Sequence, residues 1–126
     1  MLIVPRAFAL TLCDRMEVNP ATGEVSLVGI FNYRQFPSYP TSPQAFTVYS
    51  ALHDGSGEGT MDLRVVQVST DIEVHRWQKW WAFADRLHVL NLEIHLRNCV
   101  FPAPGRYVAA LRFEDHLITD RVFALR

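Results

Sequence analysis

The side chains able to hold a metal or move a proton are scattered along this sequence. Five histidines, His53, His75, His88, His95 and His116, are present, yet no His-x-His, His-x-x-His or Cys-x-x-Cys spacing occurs. A strand presents two ligands on one face at i and i+2. Glu93 and His95 meet that spacing, but Arg97 follows on the same face and its charge opposes a divalent cation. A solvated strand face without a metal is therefore expected. His53 precedes Asp54, and His116 follows Glu114 and Asp115, both in turn-like contexts that suit local hydrogen bonding rather than acid–base work. No Gly-x-Ser-x-Gly elbow exists, and Cys13 sits in a half-apolar run where a thiol packs inertly. The stretch Asp54-Gly55-Ser56-Gly57-Glu58-Gly59 resembles a phosphate cradle only superficially, because no Lys-Ser/Thr follows it. It is expected to be a flexible hairpin tip with too few ligands for calcium. No nucleophile, base and stabiliser assemble, so no catalytic residue, no cofactor and no enzymatic activity are expected.

Two aromatic features stand above this background. In Trp77-Gln78-Lys79-Trp80-Trp81-Ala82-Phe83, strand geometry places Trp77, Trp81 and Phe83 on one face and Trp80 on the other. Either Trp80 enters the core and the other rings form an exposed ridge, or Trp80 alone is exposed. The working expectation is the ridge, with Val74, Trp80 and Ala82 turned to the core. Trp77, Trp81 and Phe83 then serve a partner, a dimer seam or sugar stacking. In Phe36-Pro37-Ser38-Tyr39-Pro40-Thr41-Ser42-Pro43 the prolines recur every third residue, the period of polyproline II, with Tyr39 beside them as a further contact candidate. The plainer expectation is a stiff crossover whose Phe36 plugs one end of the core.

These side chains need a scaffold, and the pattern around them is that of strands. Turn signals at 19–23, 36–43, 54–59 and 102–105 separate runs rich in Val, Ile, Phe, Tyr, Trp and Thr. The predicted strands are 6–18, 25–32, 45–53, 60–69, 73–84, 88–98, 106–114 and 116–125. Leu90, Leu92, Ile94 and Leu96 alternate with Asn91, Glu93, His95 and Arg97, and Tyr107, Ala109, Leu111 and Phe113 share a face. Leu90, Leu92, Ile94, Leu96, Tyr107, Leu111 and Phe113 are the predicted core, and Glu114-Asp115 is short enough for a hairpin turn. Eight strands, with a long Pro-rich crossing at 33–44 that changes sheet, predict an all-β antiparallel sandwich forming one domain over 1–126.

Composition excludes several classes of function. The 126 residues are 49% hydrophobic and 20% charged, enough apolar surface for a packed core, and the formal net charge of −1 argues against a polyanionic partner such as nucleic acid. The charge-free stretch 35–52 is long enough to suggest a membrane span but holds Pro37, Pro40 and Pro43. No membrane association is expected. The opening Met1-Leu2-Ile3-Val4-Pro5-Arg6 is too short an apolar run for an export signal. Cys13 and Cys99 are accordingly expected to stay reduced in a cytoplasmic protein. Eleven of the twelve basic residues are Arg, with Lys79 the exception.

Several stretches together resemble a family of small uncharacterised bacterial β-sandwich proteins, a domain of unknown function. They are the Phe8 to Val18 strand with Cys13-Asp14 at its centre, the turn Thr22-Gly23-Glu24, the run Val25 to Phe31, Phe36-Pro37, Gly59-Thr60 and Gly105-Arg106-Tyr107. The resemblance implies a compact sandwich in a bacterial cytoplasm and carries over no established activity. The Trp-rich fifth strand departs from it. The functional expectation is a non-catalytic binding or scaffold module acting through protein contacts, as a homodimer or with another protein. The alternative is a carbohydrate-binding module using the Trp-rich strand.

Overall fold

The computed structural model of the chain describes residues 2–126, so Met1 of the opening run lies outside the described residues. Among the described residues eleven strands are formed: β1 (Arg6–Ala7), β2 (Thr11–Cys13), β3 (Arg15–Val18), β4 (Val25–Val28), β5 (Tyr33–Arg34), β6 (Gln44–His53), β7 (Gly57–Gln67), β8 (Ile72–Phe83), β9 (Leu90–Cys99), β10 (Gly105–Phe113) and β11 (His116–Leu125). One sheet runs β5-β11-β10-β7-β8. The other is built on β6, with β9 along one side and β1 and β2 in succession along the opposite side. β3 and β4 form a separate ribbon. The fold is all-β and antiparallel apart from the short pairing of β5 with β11.

The count exceeds the predicted eight because the first run is broken. Ala7 pairs with Leu52 but Thr11 pairs with Tyr49, so this side of the ladder holds one extra residue between the two contacts. The ladder is interrupted there, and the Ala9 carbonyl accepts a hydrogen bond from the Ser50 hydroxyl instead. Past Cys13 the chain leaves the sheet, and β3 pairs with β4. Tyr33–Arg34, expected to be loop, adds the remaining strand.

The Pro-rich segment changes sheet as predicted, leaving β5 in one sheet and entering β6 in the other. The segment at 54–59 does not form the predicted hairpin tip. β6 and β7 lie in different sheets, so residues 54–56 cross between layers, and Ser56 is held by a mutual backbone bridge to Ile3. β10 and β11 do form a hairpin, with Glu114 and Asp115 both at positive φ (49° and 64°), the geometry of a two-residue turn matched to strand twist.

One core fills the space between the sheets. Leu92, Ile94 and Leu96 of β9 and Tyr107, Leu111 and Phe113 of β10 are buried as predicted, and Leu90 packs against them from a partly exposed position. Phe46, Phe101, Tyr107 and Phe123 meet at ring-centroid separations of 5.1 to 6.5 Å. Phe36 stacks on Phe101 and closes one end of this cluster.

Candidate functional site

β7 sorts its side chains by alternation. Met61, Leu63 and Val65 enter the core, so Thr60, Asp62 and Arg64 stand on the outer face of the five-stranded sheet. The register sets Trp80, Gln78 and Arg76 of β8 opposite these three, and Arg112 of β10 on the other side of Asp62. A polar depression of about 230 Å³ lies among Thr60, Asp62, Arg64, Arg76 and Gln78, closed at one end by Glu114 and Asp115.

Its electrostatics are balanced locally. Arg64 and Arg76 are directly cross-strand, an unfavourable placement for like charges, and Glu73 stands between them, its Oε1 at 3.7 Å from Arg64 Nε and 3.1 Å from Arg76 Nε. Arg64 Nε also lies 3.5 Å from Asp62 Oδ1. That contact is an ion pair without a hydrogen bond, because Asp62 Oδ1 and Arg64 Nε are both buried with no hydrogen-bond partner among the described residues. At the closed end, Glu114 Oε1 accepts a hydrogen bond from the Thr60 amide at 2.6 Å. Gly59 makes room for it, since a Cβ there would collide with the Glu114 carboxylate.

The predicted contact residues fall elsewhere. Trp77, Trp81 and Phe83 do not form an exposed ridge; all three pack against the core, while Trp80 is 60% exposed. The reason is register: Trp77 is paired with fully buried Leu63, whereas Trp80 is paired with Thr60 on the outer face. Val74 nevertheless packs inward, because a bulge opposite Val65 and Val66 shifts the alternation by one residue before Trp77 is reached. Tyr39 is not a free contact either. Its ring packs edge-on to Phe36 and its hydroxyl donates to the Arg126 carbonyl at 2.8 Å. The structure thus brings Trp81 and Phe83 together and leaves Tyr39 apart.

Trp81 and Phe83 line a second, mainly apolar hollow of about 190 Å³ with Leu90, Ala82 and Ala84, rimmed by Asp85 and His88. Phe83 is fixed edge-on to Phe113, with ring centroids 5.2 Å apart, and Gly55 is small enough to lie against its ring. The hollow opens where β8 and β9, the edge strands on one flank of the two sheets, face each other. β8 pairs with β7 alone among the described residues, so the backbone polar groups on its other side are unpaired by any strand.

A third cluster lies on the outer face of the four-stranded sheet. His95 Nδ1 is 3.2 Å from Thr47 Oγ1 and His95 Nε2 is 3.2 Å from Glu93 Oε2, which superficially matches a hydroxyl, base and carboxylate series. Thr47 is only 2% exposed and its hydroxyl also donates to the Asp14 carbonyl, so it is held in the sheet rather than presented to a substrate. Asp14 pairs with Arg34 beside it. No group of three or more His, Cys, Asp or Glu side chains placed to hold a metal occurs among the described residues. Cys13 and Cys99 are free and buried, and burial pushes the Cys99 thiol up to about 12. No helix among the described residues is long and apolar enough to cross a membrane.

Sequence reasoning missed Asp62 and Arg64, although a signal was present. In Thr60-Met61-Asp62-Leu63-Arg64-Val65 the polar residues alternate strictly with apolar ones, which places an acid and a base on one face of a single strand. No curated protein matches the chain. Residues 8–126 match DUF6941, a family of unknown function, and the chain belongs to that family.

Proposed function

We propose that this member of a family of unknown function is a non-catalytic binding or scaffold module that takes an extended protein segment along the open edge of β8. The observation that carries the reading is the twelve-residue edge strand with the Trp81–Phe83–Leu90 hollow beside it. An unpaired edge offers main-chain hydrogen bonds to an added strand, and an adjoining apolar hollow gives that strand a side-chain anchor. β8 contains no proline, and from Arg76 to Phe83 it pairs residue for residue with β7, so its edge is regular over that length. Aromatic anchors of this kind dominate the energetics of protein contacts. A bacterial cytoplasmic setting belongs to the same proposal, supported by the two free buried thiols and by the family resemblance.

The test is peptide selection by display on the full chain, followed by hydrogen exchange of the β8 amides. Selected peptides should carry an apolar anchor, slow exchange along β8 and bind less tightly to Ala84→Phe, which fills the hollow. Peptides that protect only other strands would refute the proposal. Sedimentation separates the two kinds of partner: concentration-dependent dimers that protect the same amides identify a second copy as the occupant.

A further inference from the structure

We infer that the polar depression on the outer face of the five-stranded sheet is a separate binding site for one saccharide unit, with Trp80 as its stacking platform. The inference goes beyond the edge reading and uses the opposite face of β8. Three observations meet at this place. The Asp62 side chain is only 8% exposed and lines the depression, its Oδ1 buried 3.5 Å from Arg64 Nε without a hydrogen bond. Thr60 and Gln78, whose side chains both donate and accept hydrogen bonds, also line it. Trp80 is outside that lining but on the same outer face, two residues from Gln78 and directly opposite Thr60, and its ring is 60% exposed.

The ligand class follows from charge and shape. Each guanidinium already has a carboxylate within 4 Å: Arg64 has Asp62 and Glu73, and Arg76 has Glu73. A phosphate or other anion would find that positive charge already compensated and would meet Asp62, Glu114 and Asp115. A simple cation would meet the two arginines. A neutral ligand whose groups both donate and accept hydrogen bonds suits both signs, and hydroxyl groups have that property. Hydrogen bonds to charged partners are the stronger kind, so a neutral polyol gains most from such a lining. The exposed indole adds a flat apolar surface for the C–H face of a sugar ring, as aromatic faces combine apolar area with defined geometry. The volume of about 230 Å³ falls below the roughly 300 Å³ at which drug-sized pockets begin, which suits one ring and not several.

The full chain, labelled with nitrogen-15, is titrated with neutral monosaccharides, their methyl glycosides and short oligosaccharides, with inorganic phosphate and free amino acids as counter-probes. At least one saccharide should give saturable shifts of the Trp80 indole N–H and the Gln78 side-chain amide. Trp80→Ala and Asp62→Asn should each weaken that binding at least about tenfold. Trp80→Ala removes an exposed ring and leaves the fold intact, so its loss of binding is not a folding defect. Preference for the methyl glycoside or oligosaccharide identifies the terminus of a glycan as the source, and equal binding identifies free sugar. The inference is overturned if no saccharide saturates these signals, if Trp80→Ala binds as wild type does, or if phosphate or an amino acid saturates them alone. Ala84→Phe should bind saccharide normally, which keeps this result distinct from the edge proposal.

Discussion

Neighbouring tryptophans of β8 answer to different solvents. Trp80 meets water, whereas Trp77 lies against Leu63 and Trp81 against the core. Trp77→Ala should therefore cost about 3 kcal/mol, near the low end for a large ring lost from a core. Trp80→Ala should change stability by no more than about 0.5 kcal/mol. Chemical denaturation of the two variants checks this, and equal losses would show that the face assignment is wrong. Cys99 makes a different prediction. Its thiol is raised from 9.0 to about 12 by burial, so between those values the folded state keeps a proton that the unfolded state has released. Stability then falls as pH rises through that window, and its full contribution is present below about 9. The Cys99→Ala variant should show a shallower loss over the same range, and parallel curves would contradict the assignment. The orientation of Trp80 was legible in principle: it shares its parity with Arg76 and Gln78, two polar residues. Three large rings outweighed that signal, and the bulge placing Val74 on the Trp77 side removed the simple alternation that would have corrected it.

At the scale of elements, β7 and the β10–β11 turn are joined at Thr60 and Glu114, where the Glu114 amide donates to the Thr60 carbonyl at 2.9 Å and the Glu114 carboxylate adds a side-chain link. Glu114 Oε1 holds the Thr60 amide, and its side chain occupies the space above Gly59. Gly59→Ala must displace that carboxylate and lose its hydrogen bond, at a cost of about 1.5 to 3 kcal/mol. In a Glu114→Ala background the same change should be neutral or mildly stabilising, because alanine in a strand has less chain entropy to lose than glycine. A double-mutant cycle by urea denaturation measures the coupling, and additive effects would exclude the steric link. Strands such as β9 and β10 were legible because their alternation is unbroken and one face is core throughout. The first run was not, since its interruption depends on which residues of β6 lie opposite, and pairing is a tertiary property. The depression itself required three strands in register, which no single stretch of sequence displays.

For the molecule as a whole, the two sheets are tied at one end by Phe101. It lies on the crossing from β9 to β10 and contacts Phe46 of one sheet and Tyr107 and Phe123 of the other. Its backbone is clasped to the Pro-rich crossing: the Thr41 amide donates to the Phe101 carbonyl, and the Phe101 amide donates to the Thr41 hydroxyl. Tyr107 locks the same corner, its hydroxyl donating to the Ala103 carbonyl at 2.6 Å. Two crossings and both layers thus share one buried ring, so neither sheet keeps a complete core without the other. Unfolding should be a single cooperative transition, as for most domains of this size. Phe101→Ala should cost about 3 to 5 kcal/mol while leaving the transition single. All three tryptophans lie on β8 in one sheet, and Cys13 lies on β2 in the other. Indole fluorescence and labelling of the Cys13 thiol in a Cys99→Ala background therefore report separately on the two layers. Coincident midpoints are expected with Phe101 in place; fluorescence that changes there at a lower denaturant concentration than thiol exposure would mean that the layers come apart and that Phe101 does not couple them.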